Sequence, residues 1–409
     1  MRGISARSCC LISTGKRRFA VWFMYALVTF EELVGKAAGL WYRPFESWEA
    51  FLAMLAKGPS AFISLESKTG ALYLVSGFIT ALVVYFVSRR ELPEEYQGSA
   101  FSYIFPRSVY GHPSAIVDYK FVGFDLLIRF FLYVPLIVGV SHFIYVMLNR
   151  LEIDLSFSLF TNSNYYIRLA VITLIGIAVV DFCVFFSHFL LHKIPFLWPF
   201  HEVHHSAEVL TPITVHRNHP MDDMVNGLVY GVVGGFLAAT YTAISGDIVS
   251  ELSILGLNVF TFGYYLTVYQ LRHSHIWLSF GPIMSHIFVS PAQHQIHHSI
   301  ERKHWNKNYG FTFAMWDWMF GSLYVPKERE EITFGVPDVN PADFSTVPRL
   351  YFLPFAKSFR RLQAMVRARS FRFDFDEVLD PNKAPLEPVE TAAGLNAASL
   401  SEMRPIRPK

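Results

Sequence analysis

Five stretches of the chain stay apolar for close to the roughly 20 residues that a helix needs to cross a hydrocarbon core. They are residues 71–88, 130–148, 169–191, 227–245 and 252–271, and each predicts a membrane-spanning helix. A shorter apolar run, 19–30, follows Lys16-Arg17-Arg18 and ends at Glu31-Glu32. Without a small-residue cleavage site it predicts an interfacial or partly inserted helix rather than a signal peptide. Residues 355–369 alternate apolar and basic positions as a basic amphipathic helix suited to an anionic leaflet, although an ordinary solvated helix has the same make-up. From Pro381 onward the chain is rich in Pro, Ala, Glu and Ser and predicts a disordered tail. The body is expected to end near Pro326.

Composition supports a membrane body. Apolar residues make up 52% of the 409 and charged residues 17%, against about 25% charge in soluble domains. The net charge of +2 argues against nucleic acid as a main partner. Three cysteines, Cys9, Cys10 and Cys183, cannot build a disulfide framework. Lys and Arg gather in 89–129 and beyond Leu271 and are absent from 246–251. The positive-inside rule then turns 89–129, the loop 192–226 and the C-terminal region toward the cytoplasm.

Histidine carries the chemistry. Of 16 histidines, all but His112 and His142 lie between His188 and His304. His188 and His192 are one helical turn apart, and His201, His204 and His205 fall within one sector of about 100° on a helix. His294, His297 and His298 repeat that spacing, and His273 follows the last apolar run. One such pair arises often by chance, but three face-sharing groups at a membrane surface demand a partner, because buried unpaired polar groups are costly. Imidazole is the commonest side-chain metal ligand, and these arcs suit two ions. Asp181 lies within about 20° of the line through His188 and His192. As a carboxylate inside an apolar span it is a functional candidate, expected to accept an imidazole N–H and fix a ligand's tautomer.

The order His188-x-x-x-His192, His201-x-x-His204-His205, His273 and Pro291-x-x-His294-x-x-His297-His298 resembles the fatty acid hydroxylase / sterol desaturase superfamily. Asn306-Lys307-Asn308-Tyr309-Gly310, Trp316-Asp317 and Phe320-Gly321 are similar to that family's usual close. The resemblance covers roughly residues 170–325. It implies an all-α, polytopic transmembrane bundle with a histidine-rich dimetal site at the cytoplasmic face. The expected divisions are an N-terminal segment 1–70, a transmembrane region 71–168, a catalytic domain 169–325 and a cytoplasmic C-terminal region 326–409. The implied ligands are His188, His192, His201, His204, His205, His273, His294, His297 and His298. His219, in Arg217-Asn218-His219-Pro220, matches a further recurrent histidine and ranks below the nine. His275 is either a support or incidental, His216 and His304 suit exposed loops, and His286 has no spacing argument.

The same resemblance implies two iron ions, O2 as co-substrate and two electrons used to attack an unactivated C–H of a lipid. Hydroxylation is preferred over desaturation. Zinc would bind the same nitrogens but cannot change oxidation state. No G-x-G-x-x-G follows a strand pattern, and His112-Pro113-Ser114 lacks the His-Pro-Gly-Gly of a fused cytochrome b5. A separate cytochrome b5-, ferredoxin- or reductase-like donor is therefore expected. A metal transporter would place its ligands along a mid-membrane path, unlike this one-ended cluster. A non-catalytic metal-binding relative would be expected to lack a ligand.

Overall fold

The structure is a computed structural model and describes residues 46–53, 70–92, 94–132, 164–245, 251–255, 257–337 and 339–368. The expected helix at 19–30, nearly all of the span at 130–148 and the tail beyond 381 lie outside the described residues.

Helix α1 (Ala71–Ser88) carries bulky apolar side chains all round, with Val75, Ile79, Val83 and Phe86 exposed and Tyr73, Ala81 and Tyr85 buried. Three short helical turns, Glu94–Gln97, Ala100–Ile104 and Arg107–Tyr110, lead into α2 (Pro113–Leu132). Helix α3 (Tyr165–Lys193) opens on Asn164, whose side chain accepts the Tyr166 N–H. It stops at Ile194, held extended as the residue before Pro195. Helix α4 (Trp198–His205) follows at once, and all eight of its residues are buried. Helix α5 (Pro220–Ser245) packs against α3 more extensively than any other pair. Among the described residues, α1 and α3 are long and apolar enough to cross a membrane.

The predicted span at 252–271 is not one helix. It begins as a two-residue antiparallel pair, β1 (Ser253–Ile254) with β2 (Leu257–Asn258), turned at Leu255 with φ 49°. Asn258 then caps α6 (Val259–Thr267) through the Phe260 N–H and donates its amide to the Thr173 carbonyl of α3. Thr267 returns its hydroxyl to the Gly263 carbonyl, and Val268 breaks the helix before α7 (Tyr269–Arg272). Nine residues of α6 reach about 14 Å, half a bilayer core. The Gly77 position on α1 lets Gln270 approach, since a Cβ there would lie 2.7 Å from the Gln270 Cβ.

After α7 the chain forms α8 (Pro291–His297) and α9 (Met315–Met319), then α10 (Val347–Ala368). The body does not close at Pro326. Phe344, Leu350 and Tyr351 join Val117, Phe121 and Val203 in one buried cluster. An eight-residue helix such as α4 has two faces to cover, and the residues beyond 326 cover the outer one. Helix α10 also starts eight residues before the amphipathic pattern predicted. Beneath it, Arg217 ion-pairs with Asp118 of α2 at 2.6 Å and donates to the Val203 carbonyl at 2.9 Å and the Ser206 hydroxyl at 2.8 Å. The pair is fully buried, so each charge needs the other.

Candidate metal centre

Four elements deliver the histidines. Helix α3 brings His188 and His192 to its last turns, α4 carries His201, His204 and His205, the end of α7 turns out His273, and α8 supplies His294, His297 and His298. Helix α8 is set by a capping box: Ser290 accepts from the Gln293 N–H, Gln293 accepts from the Ser290 N–H, and Pro291 takes the first position.

The nine rings sort into two sets. Nitrogens of His188, His192, His201, His205 and His297 lie within 4.8 Å of one another, and so do those of His204, His273, His294 and His298. The sets adjoin, with the rings of His205 and His298 stacked 4.5 Å apart. Trp198 closes over His192 and His205. Burial pushes the His201 imidazolium down to about 3, and holds His204, His205, His294, His297 and His298 well below the ordinary histidine value, the neighbouring rings adding to it. These rings are neutral near pH 7, the form that ligates a metal.

In the first set three of the five outer nitrogens are already committed, while His192 Nε2 and His205 Nε2 lie 3.1 Å apart. His188 Nδ1 donates to the Tyr309 carbonyl at 2.8 Å, His297 Nδ1 to the Lys307 carbonyl at 2.7 Å and His201 Nδ1 to Asp222 Oδ2 at 3.1 Å. Each ring then keeps its lone pair on Nε2, and these three Nε2 atoms are buried with no hydrogen-bond partner. Inward-facing nitrogens without a partner are what a cation would satisfy, so the residues fit a metal.

The second set is held differently. Arg272 donates to His294 Nδ1 at 2.8 Å, to the Gly310 carbonyl at 3.1 Å and to the Phe311 carbonyl at 2.5 Å. A neutral His294 ring that accepts on Nδ1 carries its proton on Nε2, which faces His273 Nε2 at 2.9 Å. His273 Nε2 in turn lies 3.1 Å from His204 Nε2. For a cation to bind this set through Nε2, the His294 proton must move to Nδ1, which Arg272 opposes.

The loop after α8 explains the 306–317 motif. Asn306 and Asn308 take left-handed backbone with φ 59° and 58°, which asparagine tolerates better than most residues. Asp317 accepts the Tyr309 N–H at 2.8 Å and the Gly310 N–H at 2.7 Å. A Cβ on Gly310 would lie 2.7 Å from Asp317 Oδ2 and 2.9 Å from the Phe313 carbonyl, so only glycine fits. The loop thereby aims the Lys307 and Tyr309 carbonyls at His297 and His188.

Other expectations change. Asp181 does not touch an imidazole: it accepts the Thr312 N–H at 2.7 Å, the Phe313 N–H at 3.0 Å and the Trp316 indole N–H at 2.9 Å. Seven residues along α3 put it about 10 Å from His188, too far for a shared hydrogen bond. It satisfies non-helical backbone beside an apolar helix instead. His219 lies outside both sets, with Nε2 on the Tyr351 carbonyl at 3.0 Å and Nδ1 accepting the Met221 N–H at 3.1 Å. Its proline-linked motif sets the turn into α5 rather than a ligand. His275 donates to the Tyr103 carbonyl at 2.6 Å, and His286 is exposed. His304, expected on an exposed loop, is buried, with Nε2 3.1 Å from Glu330. Half-buried His216 ends a 3-10 turn, Thr214–His216. Asp222 and Arg272 escaped the sequence reading. Arg272 adjoins His273, whereas Asp222 stands 21 residues from its partner His201, where helical spacing carries no signal.

Residues 173–322 match the fatty acid hydroxylase family. An ornithine lipid hydroxylase of Rhizobium tropici is 26% identical over 162 residues, covering 40% of this chain and 44% of that protein. A Homo sapiens alkylglycerol monooxygenase is 25% identical over 158 residues, covering 38% of this chain and 31% of that protein. A Delta(7)-sterol 5(6)-desaturase of Eremothecium gossypii is 26% identical over 300 residues, 69% of this chain and 73% of that protein. The chain thus spans less than half the length of the first two relatives. No solved structure matches.

Proposed function

We propose that this chain, a member of the fatty acid hydroxylase family through residues 173–322, is a membrane-bound di-iron oxygenase that hydroxylates an unactivated C–H of a lipid. The observation that carries the reading is the pair of adjoining, buried, all-imidazole sets, five rings and four. The first ion would be held by His188, His192, His201, His205 and His297, and the second by His204, His273, His294 and His298. Iron bound there supplies the redox chemistry that activates O2, with electrons from a separate cytochrome b5-, ferredoxin- or reductase-like protein.

The chain's own groups prepare the site. The Tyr309 and Lys307 carbonyls and Asp222 fix the tautomers of His188, His297 and His201, so these three rings need no change of tautomer on loading. Trp198 and the closed packing of α4 keep water from the rings. His188 is the least buried of the nine, and it meets the Tyr309 ring, which in turn meets Phe185 and Phe189. That aromatic face of α3 suits the hydrocarbon part of a lipid approaching from the bilayer. The cytoplasmic placement of the site rests on the charge distribution of the loops.

Desaturation on the same site is the second reading, supported by the sterol desaturase that matches over 69% of this chain. Mass spectrometry of membrane lipids from cells expressing the wild type or His297→Ala separates the two. A lipid heavier by one oxygen, seen only with the wild type, is expected. A lipid lighter by two hydrogens would make the protein a desaturase, and identical lipid profiles would overturn both readings.

A further inference from the structure

Helix α10 presents an apolar stripe that stays exposed among the described residues, although the Phe355 ring also meets Phe200 and His219. Phe352, Phe355, Phe359, Leu362 and Val366 recur every three or four residues, the spacing that places them on one side of a helix. Their exposures run from 39% to 73%. Arg349, Arg360 and Arg367 are also exposed, and their spacing sets them within about 20° of one line along an edge of that stripe. The helix Val347–Ala368 holds five basic residues and no acidic one.

The opposite face is fully engaged. Leu350, Tyr351 and Met365 are buried, Tyr351 donates its hydroxyl to Asp125 at 2.8 Å, and Lys357 pairs with Glu202 at 2.9 Å. Ser358 donates to the Phe196 carbonyl at 2.6 Å and Arg361 to the Pro195 carbonyl at 3.2 Å. Glu202 neighbours His201, so α10 is clamped directly on the helix that carries three candidate ligands.

We infer that the outer face of α10 docks on an anionic lipid leaflet, with the phenylalanine stripe among the acyl chains and the arginines at the headgroups. Charge selects this occupant over a second copy of the chain. Two α10 helices meeting along the stripe would bring six exposed arginines together, Arg349, Arg360 and Arg367 of each copy, with no acid on either helix, whereas an anionic surface attracts each one. The stripe has the make-up of an interfacial helix, and the clamp makes α10 the link between leaflet and histidine helix. This inference does not depend on the reaction proposed above.

The test uses the full chain carrying Cys9→Ser and Cys10→Ser, with Cys183 buried. A nitroxide placed through Phe359→Cys reports contact with lipid-dissolved oxygen against a water-soluble nickel chelate. In nanodiscs with roughly one third phosphatidylglycerol in phosphatidylcholine, the label is expected in the oxygen-accessible phase. Replacing Arg349, Arg360 and Arg367 with Gln should lower the inserted fraction by on the order of tenfold or more. A label that stays water-accessible overturns the inference, as does equal insertion in pure phosphatidylcholine. Dipolar coupling between labels of two chains would assign the stripe to self-association instead. The labelled chain's metal content, read separately, shows that α4 is still in place, because Phe359 touches neither Glu202 nor a candidate ligand.

Discussion

The two histidine sets are built from the same residue type and share α4 and α8, yet their outer partners are opposite in kind. Acceptors surround the first: two backbone carbonyls and the Asp222 carboxylate. A permanent donor, Arg272, stands behind the second. Acceptors keep the inward nitrogens of His188, His201 and His297 deprotonated and ready, while a cation on the outer nitrogen of His294 holds the proton inward and repels an incoming ion. Identical ligands can therefore form unequal metal sites, because affinity is set one hydrogen bond beyond the ligand.

The comparison breaks most visibly on ligand removal. His297→Ala and His204→Ala should each abolish activity, a loss beyond the roughly 10–100-fold that outer partners cost. Metal analysis should show His297→Ala depleting the first set and His204→Ala the second; two ions per chain in either variant would dissolve the division. Next in size, Asp222→Ala should weaken metal binding at the first set by about 10–100-fold, read by competition with a chelator. Arg272→Gln should strengthen metal binding at the second set while leaving the first set loaded, since it removes the charge behind His294. Uniform loss of both ions on that substitution would show that Arg272 only holds the fold.

Acidification probes both sets together. The unfolded chain protonates its histidines near 6.5, whereas buried His201 resists protonation until about 3. Between those values the unfolded state binds more protons, so stability falls as pH drops through that window and is fully present above it. Unfolding followed from pH 7.5 to 4 should show a declining midpoint, and a flat profile would contradict the burial of neutral rings. The smallest effect belongs to Asp181→Asn, which leaves one N–H of the 312–316 segment without an acceptor and costs about 1–3 kcal/mol. It should lower thermal stability while metal stoichiometry stays at the wild-type value.

Much of the site was legible because helical spacing is local. His188 with His192, the 201–205 arc and the 294–298 arc each lie within one or two turns, so their angles follow from residue number alone. The span at 252–271 was misread for the complementary reason. Apolar content does not reveal that Asn258 caps a helix or that Val268 ends one. Asp181 shared the angle of the histidines but not their depth, and an angular argument is blind to about 10 Å along the axis.

The sequence by itself determined the residue type at the site, its grouping into helical arcs and apolar stretches long enough to cross a membrane, since each depends on composition or on neighbours a few positions apart. Only the tertiary structure decided which rings share a site, that Asp222 and Arg272 polarise the two sets in opposite directions, and that α10 covers α4. Those are meetings of residues 21 to 155 positions apart. No periodicity encodes them, because they exist only once the chain has closed on itself.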